Sequence, residues 1–235
     1  NDMHLSRPIY QLKRRAKLLA REAGIPLHAA QDRVAQTEGF ASWSLLSARY
    51  AEEARPPSML GELADGELAL IAARPRQGKT RIGLQLLVDA VRAGRQGVFF
   101  TLEFTERQTL DLLAEMHAGD DLPGIVAEDA IDASTIMAHL ADAPRGALAV
   151  IDYLQVLDQR RETPPLQEQV SALREFAKRT GVALAFISQV DRAFDPHLAS
   201  IPGLEDLRLP NPVPVQLFDR ACFTHGGETI VQTIS

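Results

Sequence analysis

"LALIAARPRQGKTRIGLQLL", Leu68 to Leu87, decides the fold. An unbroken apolar run leads into a turn through Arg74, Pro75, Arg76, Gln77 and Gly78, and an amphipathic helical pattern follows. Continuous apolarity over a short run is the mark of a strand covered on both faces, as in a parallel sheet. Three more runs share it: "QGVFFTL" (96–102), "ALAVID" (147–152) and "VALAFIS" (182–188). Helical stretches lie between them, notably "TRIGLQLLVDAVRAG" and "LQEQVSALREFAKRTG", each ending on glycine. Alternating strands and helices predict an α/β fold with a mainly parallel central sheet flanked by helices. The tail, "RACFTH" and "ETIVQTI" around Gly226-Gly227, predicts a closing hairpin.

Upstream of this pattern the punctuation changes. "RPPS", residues 55–58, cannot continue a helix and reads as a linker. It separates a small all-α domain (1–54) from the α/β domain (59–235). Within the first, "SRPIYQLKRRAKLLAREAG" predicts a helix capped at Ser6, with apolar Ile9, Leu12, Ala16, Leu19 and Ala23 on one side and Gly24 as its stop. A second helix runs from about Leu27 to Glu38, Gly39 breaks it, and Ser42 caps a third that starts at Trp43. The spacing of Ala35, Gly39 and Ser42 fits a helix-turn-helix-like corner, as it fits many small helical bundles. Phe40 and Trp43 are expected in its core rather than as a stacking platform for bases.

The chain has 235 residues and a net charge of -6. Residues 1–57 carry nine Lys/Arg against six Asp/Glu, so the remainder holds sixteen against twenty-five and the basic part is the small N-terminal one. A solvated helix face and a nucleic-acid contact both explain such a segment. No apolar run approaches the roughly 20 residues that span a bilayer. The single cysteine, Cys222, and the absence of an apolar signal stretch at the start of this sequence lead us to expect a cytoplasmic protein.

The turn after the first strand is close to the pattern G-x-x-x-x-G-K-[ST], with Ala73 at the first glycine position. In such a loop backbone N–H groups wrap phosphates, the lysine reaches the terminal ones, and the hydroxyl serves magnesium. An ordinary strand-to-helix turn containing Gly-Lys-Thr remains the alternative. The chain has twenty-one arginines and four lysines, one of which is Lys79, and a compact ammonium suits a phosphate loop better than a guanidinium. Alanine costs little at the first position if its φ is negative, which we expect. Two carboxylates at strand ends, Asp152 and Glu103, are candidates to support a metal ion and to activate water, although either could cap a helix instead.

"IAARPRQGKT", "FFTLEFTERQTLDLL", "VIDYLQVL" and "LREFAKRTGVALAFISQVDR", in this order, resemble the ATPase domain of DnaB-type replicative DNA helicases, within the RecA-like P-loop superfamily. The resemblance covers residues 59–192 and extends more loosely to "EDLRLPNPVPVQLFDRACF". It implies a RecA-like core, ATP and Mg2+ as cofactors, hydrolysis coupled to a helicase-like action on DNA, single-stranded DNA as a partner, and a homo-oligomeric ring or filament. By position it implies that Glu103 polarises the attacking water. Lys79 would bind the phosphates, and Gln189 would sense the terminal phosphate, with Arg192 close by. Thr80 and Asp152 would hold the metal. Nucleotide would lie against Ala73, Arg74, Pro75, Arg76, Gln77, Gly78, Lys79, Thr80 and Arg81.

The departures define a second reading. The family's tails carry a lysine and an arginine that reach into a neighbouring subunit's nucleotide, whereas here no lysine follows Lys178. The end, "CFTHGGETIVQTIS", offers neither residue at the expected place, and neither of the late arginines, Arg208 and Arg220, is assigned that role. The family's primase-interacting domain is replaced by the short helical segment. A nucleotide-dependent regulatory or DNA- or protein-binding module with weak or no helicase activity is therefore the alternative. Candidate DNA-facing loops are 158–165, with Arg160 and Arg161, and 193–214.

Overall fold

In the computed structural model the described residues are 5–7, 9–53, 59–73, 78–128, 130–152, 154, 164–190, 203, 207–208, 214–225 and 228–234. The chain divides into two compact units, Asn1–Arg55 and Pro56–Ser235.

The first unit holds three helices: α1 (Ile9–Ala23), α2 (Leu27–Thr37) and α3 (Trp43–Glu53). Leu12 and Ala16 of α1 pack on Val34 of α2, with Leu19 and Trp43 against them, so Trp43 serves the core. Gly24 ends α1 at φ +60° and Gly39 turns the corner after α2 at φ +86°, both in the left-handed region that glycine enters without a Cβ penalty. Ser42 caps α3 by accepting from the Leu45 N–H at 3.3 Å. Asp32, reaching from α2, accepts from the Trp43 N–H at 2.8 Å. Ser6, expected to cap α1, turns instead to Glu38: its hydroxyl donates to Oε1 at 2.5 Å and its N–H to Oε2 at 2.7 Å. Those bonds hold the Glu38 carboxyl below its ordinary value. They tie the start of the first helix to the end of the second.

The second unit is a mixed sheet in the order β3-β2-β4-β5-β1-β7-β8, with β6 added beside β5. The strands are β1 (Leu68–Ala73), β2 (Gly97–Thr101), β3 (Gly124–Val126), β4 (Leu148–Asp152), β5 (Ala183–Val190), β6 (Leu207–Arg208), β7 (Arg220–His225) and β8 (Glu228–Thr233). All described pairings are parallel except β5 with β6 and β7 with β8. The last pair is the tail hairpin expected around Gly226-Gly227, and its first strand runs parallel to β1.

Helices cover both faces, as the unbroken apolar strands require. One face of β1, β4 and β5, including Leu70, Ile151 and Phe186, packs under α6 (Ala133–His139) and α7 (Leu166–Thr180). The other, including Ile71, Val150 and Ile187, packs under α4 (Lys79–Arg92) and α5 (Glu106–Glu115). Successive residues of one strand thus belong to two different cores. At Gly83 a Cβ would stand 2.9 Å from Val150 Cγ1 and 3.1 Å from Ile187 Cδ1, so α4 lies closer to the sheet than a Cβ fits without those side chains shifting.

The amino end of β1 is clamped by the tail. Asp219 N donates to Leu68 O at 2.7 Å, and the Asp219 carboxylate accepts from Leu68 N at 2.9 Å and from Arg174 of α7 at 2.9 Å. Beside it Arg220 donates to both Glu67 oxygens at 3.2 and 3.3 Å.

Candidate nucleotide site

In an open parallel sheet the carboxyl ends of the strands, where loops enter helices, form the ligand-binding edge. Register places Ala73 opposite Gln189, and Thr101 opposite Asp152, so the expected site residues converge at that edge. Ala73 ends β1 as extended backbone with its methyl fully buried between β5 and β7. His117 is the non-glycine residue with positive φ among the described residues, so Ala73 carries no left-handed strain and φ there is negative, as expected. Gly78, by contrast, stands at φ +77° as the residue before α4, a conformation that a side chain would strain.

From Gly78 the chain enters α4 with Lys79 and Thr80 in its first turn. The Thr80 hydroxyl donates to Asp152 Oδ2 at 2.9 Å, joining the loop helix to the end of β4. Asp152 is fully buried, and its second oxygen, Oδ1, has no hydrogen-bond partner among the described residues. Burial pushes its pKa up to about 6; the Thr80 bond and Lys79 pull down, and Glu103 adds a further push upward. A buried carboxylate oxygen without a partner, beside a hydroxyl, is a hard-oxygen donor set that fits Mg2+.

Glu103 lies just past β2, exposed in a cleft of about 470 Å³ walled also by Thr101, Glu106 and Glu128. Its backbone is held from below: the buried Thr101 hydroxyl accepts from Glu103 N at 3.1 Å and from Phe104 N at 3.2 Å. One residue on, Thr105 and Gln108 form a reciprocal capping box that starts α5. Two threonines therefore fix both sides of the turn that presents Glu103. The sequence reading leaves Thr101 out; the signal that points to it is a hydroxyl at a strand end, which can accept from the backbone N–H two residues on.

Of the other expected residues, Gln189 belongs to β5 beside Ala73, but its side chain lies outside the described set. Arg74, Pro75, Arg76, Gln77 and Arg192 lie outside the described residues, as do Arg160 and Arg161 and nearly all of 193–214. Arg81 points to α5, where it pairs with Glu115 at 3.4 Å on the surface. Arg220 sits at the amino end of β7, the end of the sheet opposite Gly78.

No family model matches this chain. It is 28% identical over 203 residues to the replicative DNA helicase DnaB of Mycoplasma pneumoniae, covering 68% of this chain and 43% of that protein. To the replicative DNA helicase DnaB of Leifsonia xyli subsp. xyli it is 26% identical over 183 residues, covering 62% and 40%. The chain thus spans less than half the length of these relatives. Among solved structures it superposes on a DnaB-like replicative helicase studied with primase at TM-score 0.55 and 16% identity, over 91% of this chain and 65% of that one. A KaiC-like protein of Pyrococcus horikoshii OT3 gives TM-score 0.50 at 18% identity, over 72% and 77%. Sheet order and these likenesses agree: the second unit has a RecA-like fold, and the chain resembles DnaB-type replicative helicases.

Proposed function

We propose that this chain binds ATP with Mg2+ at the edge formed by Gly78, Lys79, Thr80 and Asp152, and hydrolyses it with Glu103 as the group that polarises water. The observation that carries the reading is the 2.9 Å bond from Thr80 to a buried Asp152 whose other oxygen is unpartnered among the described residues, at the start of a helix entered through a left-handed glycine. Backbone N–H groups at the start of α4 favour phosphate, and Lys79 supplies a point charge there. Bound Mg2+ would neutralise charge on the terminal phosphates, and Thr80 and Asp152 would hold it. Glu103 orients a water molecule toward the terminal phosphate, and the turn held by Thr101 fixes where its carboxylate starts.

The helicase-like reading extends this to a homo-oligomeric motor acting on single-stranded DNA, supported by the distant similarity to replicative helicases. One observation favours the alternative of a slowly cycling nucleotide-dependent module: Arg220, one of two late arginines, is engaged by Glu67. Steady-state ATPase rates with and without single-stranded DNA decide between them. A steep rise on adding DNA supports the motor, and a DNA-indifferent rate refutes it. Calorimetry that detects no ATP binding to the wild type, with Lys79→Ala indistinguishable from it, overturns both.

A further inference from the structure

The corner formed by α2 and α3 is the expected place for a nucleic-acid contact in a helix-turn-helix, yet its exposed cations among the described residues are Arg33 of α2 and Arg49 of α3, fewer than α1 carries. On α3 the described, exposed positions Ser44, Leu45, Ala48 and Tyr50 are uncharged, and Arg49 already has a partner. On α1, Lys13, Arg14, Lys17 and Arg21 are all exposed. At about 100° per residue these four fall within roughly 100° of one helix face and spread over about 12 Å of its axis. Leu12, Ala16 and Leu19 occupy the other side, packed into the unit's own core.

The neighbouring carboxylates are committed elsewhere. Asp32 accepts from the start of α3, and Glu38 accepts from Ser6 and is approached by Arg7 and Arg15. Glu22 is exposed on α1 but lies off the stripe, at about 80° from Arg14 around the helix. We propose that this α1 stripe docks on the phosphate backbone of duplex DNA, without reading sequence.

Two observations select that occupant. First, the stripe's positive charge complements a regular phosphate array, while residues 58–235 carry sixteen basic against twenty-five acidic groups, so attraction to DNA has to be local. Second, α1 cannot enter a bilayer surface as an amphipathic helix, because its apolar side is buried in the three-helix core.

The test is fluorescence anisotropy of the full chain with a labelled 20-base-pair duplex over a salt series, without nucleotide. Four phosphate contacts predict a slope of log K against log salt of about -3.6, roughly a hundredfold loss between 50 and 200 mM. The variant Lys13→Gln/Arg14→Gln/Lys17→Gln/Arg21→Gln, its helix content checked by circular dichroism, is expected to lose at least tenfold in affinity and most of the slope. Lys79→Ala should bind as the wild type does, which separates this surface from the nucleotide site. Undetectable wild-type binding at 50 mM salt, or affinity unchanged in the quadruple variant, overturns the proposal. So does a quadruple variant that loses more affinity for a single strand of equal length than for the duplex, or equal binding of the wild type to anionic phospholipid vesicles.

Discussion

Thr80 and Asp152 meet at 2.9 Å although 72 positions separate them in the chain, and their bond joins the start of α4 to the end of β4. Lys79→Ala is expected to abolish ATP binding in isothermal titration calorimetry. Thr80→Ala should keep measurable affinity without Mg2+ and lose at least tenfold of the gain that Mg2+ brings, because it removes one of the two side chains proposed to hold the metal and leaves the backbone at the start of α4 in place.

Asp152 makes the metal-free protein less stable as pH rises. Its folded pKa of about 6 lies above its ordinary 3.8, so the native state binds the extra proton. The stabilisation is fully present below pH 3.8 and disappears as pH climbs through 6, a contribution on the order of 3 kcal/mol. Urea unfolding in chelator-treated buffer at pH 4.5, 5.5 and 7 should show that decline, and Asp152→Asn should flatten it and be the more stable protein at pH 7. A wild-type contribution that rises over this window contradicts the assignment.

The Thr101 hydroxyl holds two N–H groups of the turn that carries Glu103. Thr101→Ala should reduce kcat about tenfold with little change in nucleotide affinity, and lower stability by about 1 kcal/mol through the two N–H groups left without that acceptor. Thr101→Ser restores the acceptor and should restore kcat. Glu103→Gln, which leaves the turn intact, should lose hydrolysis and keep ATP binding; single-turnover rates beside equilibrium binding separate the two effects.

At the opposite edge, Asp219 accepts from Leu68 N and from Arg174, and is 9% exposed. Asp219→Ala leaves a guanidinium and a backbone donor without that acceptor, and should cost about 3 kcal/mol in chemical denaturation. Loss of the tail pairing should raise hydrogen exchange in both β1 and β7, which a purely local defect would not do.

The strands and the loop helix were legible because full burial makes their apolarity continuous: residues 68–73 and 148–152 match the expected runs closely. The hairpin followed from glycine between two β-rich runs. Sheet order was not legible, since a parallel neighbour is selected by packing across long crossovers and leaves no local pattern. β3 and β6, with three and two residues, are too short to carry a period. Ser6 was misassigned because a serine before a helix satisfies the capping rule equally well when a distant glutamate takes its hydroxyl. The Asp219 clamp depends on contacts spanning 45 and 151 positions, and Gly83 looked like any helical glycine until Val150 was placed beneath it.

The position of β1 has a consequence for how the chain acquires its structure. Its two ladder partners are residues 184–189 and 220–224, both in the last quarter of the chain, whereas β2, β3 and β4 find one another within residues 97–152. Contacts between distant positions form late, because a long loop has to close before they give anything back. During synthesis β1 therefore waits, unpaired and apolar, until β5 has emerged, well past the middle of the second unit. The segment most legible in the sequence is among the last to be completed in the molecule, and β1 is where a stalled or truncated chain would expose a sticky edge.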